Sequence, residues 1–305
     1  MELINYSVVL LQSVGGMAAA AAAAGLGLVA LMRARSKRVR AQGGVAEDDA
    51  APVRFRLFYW PGFPGRGEFM RLIFAECATP YADVYRGMTF GEAAKECYGS
   101  PDRFAVPAIE DRRHTDPVTG RALAFSQTAV ICAYLAAECA GGRLMPAGRA
   151  GALRAAVLMA DVTDVMEEGC KAWHAMDYNA GYSEQAEATQ PFVDRFVEQR
   201  LPKWLAHFGR KLAQNNDGGG GGAGGESGPL FFVGAALSYA DLAVFHVLDG
   251  VRAEAGAGGG CRRQYEALAT PLLKRFVRQI ESRPRVRAWL ADEGRCAFTQ
   301  TGPGF

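Results

Sequence analysis

The sequence predicts a two-part α+β fold: a small domain of mixed strands and helices, followed by an all-helical domain. Three observations predict it. Between Val53 and about Gly142, short alternating apolar runs are interleaved with helical stripes and broken by glycine- and proline-rich turns. Inside that stretch, Ala105-Val106-Pro107-Ala108-Ile109 embeds a proline in a strand-like apolar run, where a central strand would not tolerate it. From Arg143 onward nothing alternates convincingly as a strand, while Ala150 to Met176 and Gln190 to Leu212 carry helical periodicity.

Ahead of these domains, residues 1–52 form a region of their own. Val8 to Met32 contains no charged side chain, and only Gln12 and Ser13 are clearly polar. At 1.5 Å per residue such a run can cross a hydrocarbon core of about 30 Å. Arg33, Arg35, Lys37, Arg38 and Arg40 follow it, and only Glu2 is charged before it. A secretory signal carries its positive charge ahead of the apolar core, not behind it. The one-sided basic cluster therefore predicts a membrane anchor over residues 8–32, with everything after Arg33 in the cytosol. An organelle-targeting peptide, cleaved from the mature chain, and a disordered leader are the alternatives. Ala41 to Pro52, with Gly43-Gly44 and Glu47-Asp48-Asp49, reads as a linker.

The first domain opens with Phe55, Leu57 and Tyr59, which alternate as one face of a short strand. A turn dense in Pro61, Gly62, Pro64 and Gly65 follows. A helix then starts near Gly67 and Glu68, with Met70, Leu72, Ile73 and Phe74 as its buried stripe. Tyr59 thus lies at a strand end, close to the free N–H groups of a helix N-terminus, an arrangement suited to a small anionic ligand. A cis bond between Val106 and Pro107 at a strand start reconciles that proline with the apolar run. Asp111 to Gly120 reads as turn-rich. Ser126, Gln127 and Thr128 then precede a helix whose face is Val130, Ile131, Tyr134 and Leu135.

In this order and spacing, these motifs resemble the N-terminal domain of cytosolic glutathione transferases. Leu237-Ser238-Tyr239-Ala240-Asp241-Leu242 is similar to that family's helix-capping box in the second domain. The resemblance covers roughly Val53 to Phe298 and points to a tyrosine-type, sigma/mu-like member with an added N-terminal hydrophobic segment. It implies a thioredoxin-like glutathione-binding domain over 53–142 and an all-helical domain over 143–305. It also implies a homodimer and glutathione as co-substrate, with no cofactor or metal. The expected reaction is conjugation of the glutathione thiolate to a small hydrophobic electrophile. A glutathione-dependent isomerase or peroxidase on the same site, or a non-catalytic binding or scaffold module, are the alternatives.

By the same resemblance, Tyr59 is the catalytic hydroxyl, with the neighbouring Trp60 a rival for the strand-end position. No cysteine precedes Pro61 or Pro64, which disfavours glutaredoxin-like chemistry. Gln127 and Thr128 match the pair that grips the γ-glutamyl end, although Ser126 or Thr128 could equally be an N-cap. Val106, ahead of Pro107, is expected to pair its backbone with the cysteinyl portion. Arg66 matches a binding arginine, or forms a salt bridge to Glu68 or another acid. Ala105 stands where the family often has a lysine, leaving Lys95 as a weak substitute. Asp161 and Asp164 share a helix face. In sigma-like dimers an acid here reaches the partner's glutathione, which makes Asp164 a candidate; a solvated face is the plain reading. Trp173, His174, Tyr178 and Tyr182 could line an electrophile pocket or simply pack.

Composition sets the outer bounds. A net charge of +2 over 305 residues, half of them hydrophobic, argues against nucleic-acid binding and provides for a sizeable core. Seven scattered cysteines form no CxxC pair and no zinc spacing with the four histidines, as expected of a chain in a reducing compartment. Ser238 and Asp241 read as a capping box with Leu237 and Leu242 as its hydrophobic staple, a folding device. The glycine-rich tracts Asn215–Gly228 and Gly256–Gly260 cannot bury apolar surface and read as loops.

Overall fold

A computed structural model describes residues 53–100, 103–177, 180–217, 228–253 and 259–298. The hydrophobic run 8–32, the linker and most of both glycine tracts lie outside them. Among the described residues no helix is long and apolar enough to cross a membrane.

The first part is thioredoxin-like. Strand β1 (Phe55–Phe58) leads through the Gly-Pro turn to helix α1 (Glu68–Cys77) and strand β2 (Tyr81–Asp83). Helix α2 (Phe90–Gly99) follows, opened by a reciprocal capping box between Thr89 and Glu92. Strands β3 (Ala108–Thr115) and β4 (Ala122–Ser126) then form a hairpin, and helix α3 (Thr128–Glu138) closes the domain. The sheet order is β2-β1-β3-β4, with β1 parallel to β2 and antiparallel to β3. The Val106–Pro107 bond is cis, as the sequence predicts.

Two details differ from the sequence reading. The charged run after Asp111 is strand rather than turn. β1 pairs with β3 only from Ala108 to Asp111, so Arg112 to Thr115 extend past it as an exposed ribbon, and the turn is confined to Asp116–Gly120. On α3, Ile131 and Leu135 are buried with Thr128, Cys132 and Ala136, whereas Val130 faces outward.

The second part is helical: α4 (Gly148–Trp173), α5 (Tyr182–Arg195), α6 (Leu201–Asn216), α7 (Tyr239–Ala253), α8 (Gly260–Leu268), α9 (Pro271–Glu281) and α10 (Pro284–Leu290). The helical stretch beginning at Gln190 in the sequence reading starts earlier, at Tyr182, and passes through Pro191. It reaches α6 by way of a π-helical segment, Phe196–Arg200. Asn215 and Asn216 are not loop residues. They are buried at the end of α6, and each donates its amide to the carbonyl of Phe231.

Helix α7 is central and buried from Tyr239 to Val251. The Ser238–Asp241 pair at its start differs from a standard capping box, because the serine hydroxyl donates to the Asp241 carboxylate (2.6 Å). That carboxylate also accepts the N–H of Ser238 (2.7 Å) and of Phe232 (2.7 Å). Leu237 and Leu242, the proposed staple, are both buried.

Helix α1 joins the two parts. It packs on α3 on one side and on α7 and α10 on the other. Each end of α1 carries a buried glutamate met by arginines of the helical part. Glu68 accepts from Arg295 (2.7 Å) and from the Trp289 indole (2.8 Å). Glu76 accepts from Arg283 (2.6 Å) and Arg143 (3.2 Å). Of the seven cysteines, Cys77, Cys97, Cys132, Cys139 and Cys261 are buried, and Cys170 and Cys296 are half-buried.

Candidate active site

Strand register brings the sequence-predicted residues together. Phe58 lies opposite Ala108, and Ala108 opposite Ser126, forming one row across β1, β3 and β4. The next residue outward on each strand is Tyr59, Pro107 and Gln127. At about 4.8 Å between neighbouring strands, the row spans roughly 10 Å. The N-terminus of α3 follows Gln127 at this sheet end without a side-chain cap, so its first N–H groups favour an anionic group there.

Tyr59 is buried, and its ring fills the turn that follows it. A Cβ on Gly65 would stand 2.2 Å from the Tyr59 hydroxyl, and one on Gly67 would stand 2.5 Å from its Cγ. Glycine at both positions is therefore a condition of the ring's placement, and Gly65 also holds a positive φ of 37°. Arg71 fastens the turn from α1. Its guanidinium pairs with Asp83 (2.8 Å) and donates to the carbonyls of Phe63 and Pro64. The Tyr59 Oη accepts the backbone N–H of Arg66 (2.8 Å). Burial pushes the hydroxyl above its ordinary pKa, against the pull of that N–H and of the Arg71 and Arg66 charges. At neutral pH it therefore keeps its proton and acts as a donor. Trp60 does not compete for the position; it leaves the turn to pack on Phe90 (ring centroids 4.9 Å apart).

Gln127 is exposed at the start of α3 with φ +84° and ψ 108°, a conformation rare outside glycine. Thr128 is buried at the first helical position. Ser126 does not cap the helix; its hydroxyl donates to the carbonyl of Ala105 (3.0 Å), which holds the Val106–Pro107 segment against the end of β4. Lys95 is exposed on α2. Arg103 instead lies over the Phe58 ring (3.9 Å) and lines an open cavity of about 550 Å³ with Tyr98, Ser100, Phe104 and Ala105, beside Val106.

Arg66 pairs with an acid, but with Glu167 of α4 (2.9 Å) rather than Glu68. On the same helix Asp161 is engaged by His207 (2.9 Å), while Asp164 is exposed. Trp173 does not line a pocket. It is buried edge-on against Phe196 (5.7 Å), and Tyr182 is buried too, while Tyr178 lies outside the described residues. Asp111, His114 and Glu138 form a metal-like cluster at the opposite end of the sheet. There the Arg54 guanidinium already bridges the two carboxylates (2.6 and 2.5 Å).

Sequence reasoning missed two residues at the site, Glu167 and His246. The His246 Nε2 lies 2.8 Å from the Gly65 carbonyl. Neither belongs to a local motif. Their only sequence signal was a charge and a histidine on helical stretches, and the fold alone brings them to the turn.

The chain is similar to known proteins in sequence and in fold. Residues 172–293 match the family model described as Glutathione S-transferase, C-terminal domain. A curated protein named Glutathione S-transferase from Plasmodium yoelii yoelii is 26% identical over 228 residues, covering 75% of this chain and 89% of that protein. The Pi-class glutathione S-transferase of Onchocerca volvulus superposes with a TM-score of 0.57 at 18% identity, over 78% of this chain and 92% of its own. Prostaglandin synthase D of Nilaparvata lugens does so with a TM-score of 0.57 at 16% identity, over 79% of this chain and 98% of its own. The structural likenesses show the shared fold.

Proposed function

We propose that the chain is a glutathione S-transferase, with glutathione as co-substrate and no metal or organic cofactor, and that it conjugates the glutathione thiolate to small hydrophobic electrophiles at the Tyr59 end of the sheet. The observation that carries this reading is the row of Tyr59, Pro107 and Gln127. An extended tripeptide reaches roughly 10 Å, the distance across those three strand ends. The γ-glutamyl carboxylate would meet Thr128 and the α3 N-terminus, with Gln127 beside it. The cysteinyl backbone would pair with Val106, and its thiol would face Tyr59. Arg103, beside Val106, offers the glycyl carboxylate the cation that Ala105 does not. Arg66 borders the thiol through its backbone, and Asp164, exposed on α4, is free to reach a partner subunit's ligand in a homodimer.

The hydroxyl does the chemical work. A thiol near pKa ~8.5 is only a few per cent ionised at neutral pH. One hydrogen bond to the thiolate contributes about 1.5–3 kcal/mol, or roughly one to two pKa units. The resemblance to a prostaglandin synthase supports an isomerase as the second reading, since the same thiolate serves both reactions. Retention on immobilised glutathione, followed by a thiol-conjugation assay against several electrophiles, tests the proposal. Retention without turnover would favour a binding module, and turnover only on an isomerisable substrate would favour the second reading.

Thr128→Val should weaken glutathione binding by about 1–3 kcal/mol, the cost of removing one charge-assisted donor from a carboxylate. Unchanged affinity by direct titration would move the γ-glutamyl site elsewhere. Residues 8–32 complete the proposal as a membrane tether that leaves the catalytic part in the cytosol. The full-length chain should pellet with membranes and resist carbonate extraction, whereas a chain starting at Val53 should be soluble and active. A soluble full-length chain, or a mature N-terminus mapped after Met32, would replace the tether with a targeting peptide.

A further inference from the structure

One peptide unit beside Tyr59 is held at both ends. The Gly65–Arg66 amide donates its N–H to the Tyr59 hydroxyl (2.8 Å), and its carbonyl meets Nε2 of His246 (2.8 Å). A carbonyl can only accept, so Nε2 carries the proton. Nδ1 is then bare, and it is buried without a hydrogen-bond partner among the described residues. The ring is 2% exposed, edge-on to Phe69 (4.9 Å) and stacked on Phe298 (5.8 Å), which allows it a single orientation. Burial depresses its basicity, against the Glu68 and Asp249 carboxylates and with the Arg295 charge, so the imidazole stays neutral.

We infer that His246 is a positioning residue for Tyr59: by fixing the Gly65–Arg66 amide, it keeps that N–H on the tyrosine oxygen and directs the tyrosine proton at the bound thiol. A hydroxyl has one proton to donate and two lone pairs to accept with. The Arg66 N–H occupies a lone pair, so the O–H turns away from the turn. The amide also polarises cooperatively, because a donor at its carbonyl strengthens its N–H. If His246 let go, the peptide could rotate and the N–H would leave the oxygen. This inference rests on Tyr59 being the activating hydroxyl.

The test is the pH at which bound glutathione ionises, followed by thiolate absorbance, together with kcat and KM for glutathione. His246→Phe keeps the aromatic packing and removes the donor. It should raise the ionisation midpoint by about half to one pH unit and lower kcat by about three- to tenfold, with KM for glutathione within about twofold. His246→Gln, whose amide reaches the Nε2 position, should restore most of both, whereas His246→Asn, whose amide ends at the Nδ1 position, should not. That Gln–Asn contrast carries the test if the phenylalanine variant does not fold. Adding His246→Phe to Tyr59→Phe should cost nothing further, since the histidine acts through the hydroxyl. A wild-type midpoint in His246→Phe alongside a shifted one in Tyr59→Phe overturns the inference alone, as do equal Gln and Asn variants or additive losses. A wild-type midpoint in Tyr59→Phe overturns the tyrosine assignment beneath it.

Discussion

Asp241→Ala should remove about 3–5 kcal/mol of stability, a large share of the roughly 5–15 kcal/mol that holds an ordinary chain folded. The carboxylate is fully buried and accepts the Phe232 N–H, the Ser238 N–H and the Ser238 hydroxyl, all within 2.7 Å. Deleting it strands two backbone N–H groups in a dry interior, at about 1–3 kcal/mol each. Burial pushes the acid up to about 6 even against the pull of its hydrogen-bond donors, which leaves it mostly ionised at neutral pH. The damage would spread, because α7 begins at this residue's cap and is packed against α1, α4, α8 and α9. Urea denaturation of the Val53–Phe305 chain measures it. A midpoint within error of wild type would mean that the cap is dispensable.

Tyr59→Phe should lower conjugation by roughly tenfold or more while leaving glutathione affinity nearly intact. The ring is held by Gly65 and Gly67 and would stay in place, so the lost atom is the oxygen alone. Two effects follow. The bound thiol loses its donor and should ionise at higher pH, because the hydrogen bond favours the charged form. The Arg66 N–H also loses its acceptor, at a cost of about 1 kcal/mol in stability. A pH–rate profile for the variant separates the two, since only the first moves the acidic limb of the profile upward. A Trp60 or Phe63 variant with a larger effect, beside a wild-type Tyr59→Phe, would refute the assignment.

The legible parts of this fold were those governed by neighbours in sequence. Phe55, Leu57 and Tyr59 alternate because one strand face is buried, and Gly65 and Gly67 mark a turn because a ring needs their space. The Val106–Pro107 pair and the Ser126–Thr128 step declared themselves by residue type. Arg112 to Thr115 were misread because a ribbon that projects past its sheet carries the polar residues of a turn. The stretch through Pro191 was misread because a proline looks like a boundary where the helix in fact continues. Glu167 and His246 were illegible for a different reason. The histidine is 181 residues from the glycine it holds, and nothing local distinguishes it from a core histidine. Their roles exist only once the helical part is docked.

That docking has a thermodynamic signature. Because Glu68 and Glu76 of α1 pair with Arg295, Arg283 and Arg143, and α1 packs on α7 and α10, separating the halves would break those ion pairs and expose the apolar seam to water. The halves differ in architecture, yet the seam along α1 ties their folding together. They should melt in one cooperative transition, and a fragment ending near Gly142 should not fold by itself.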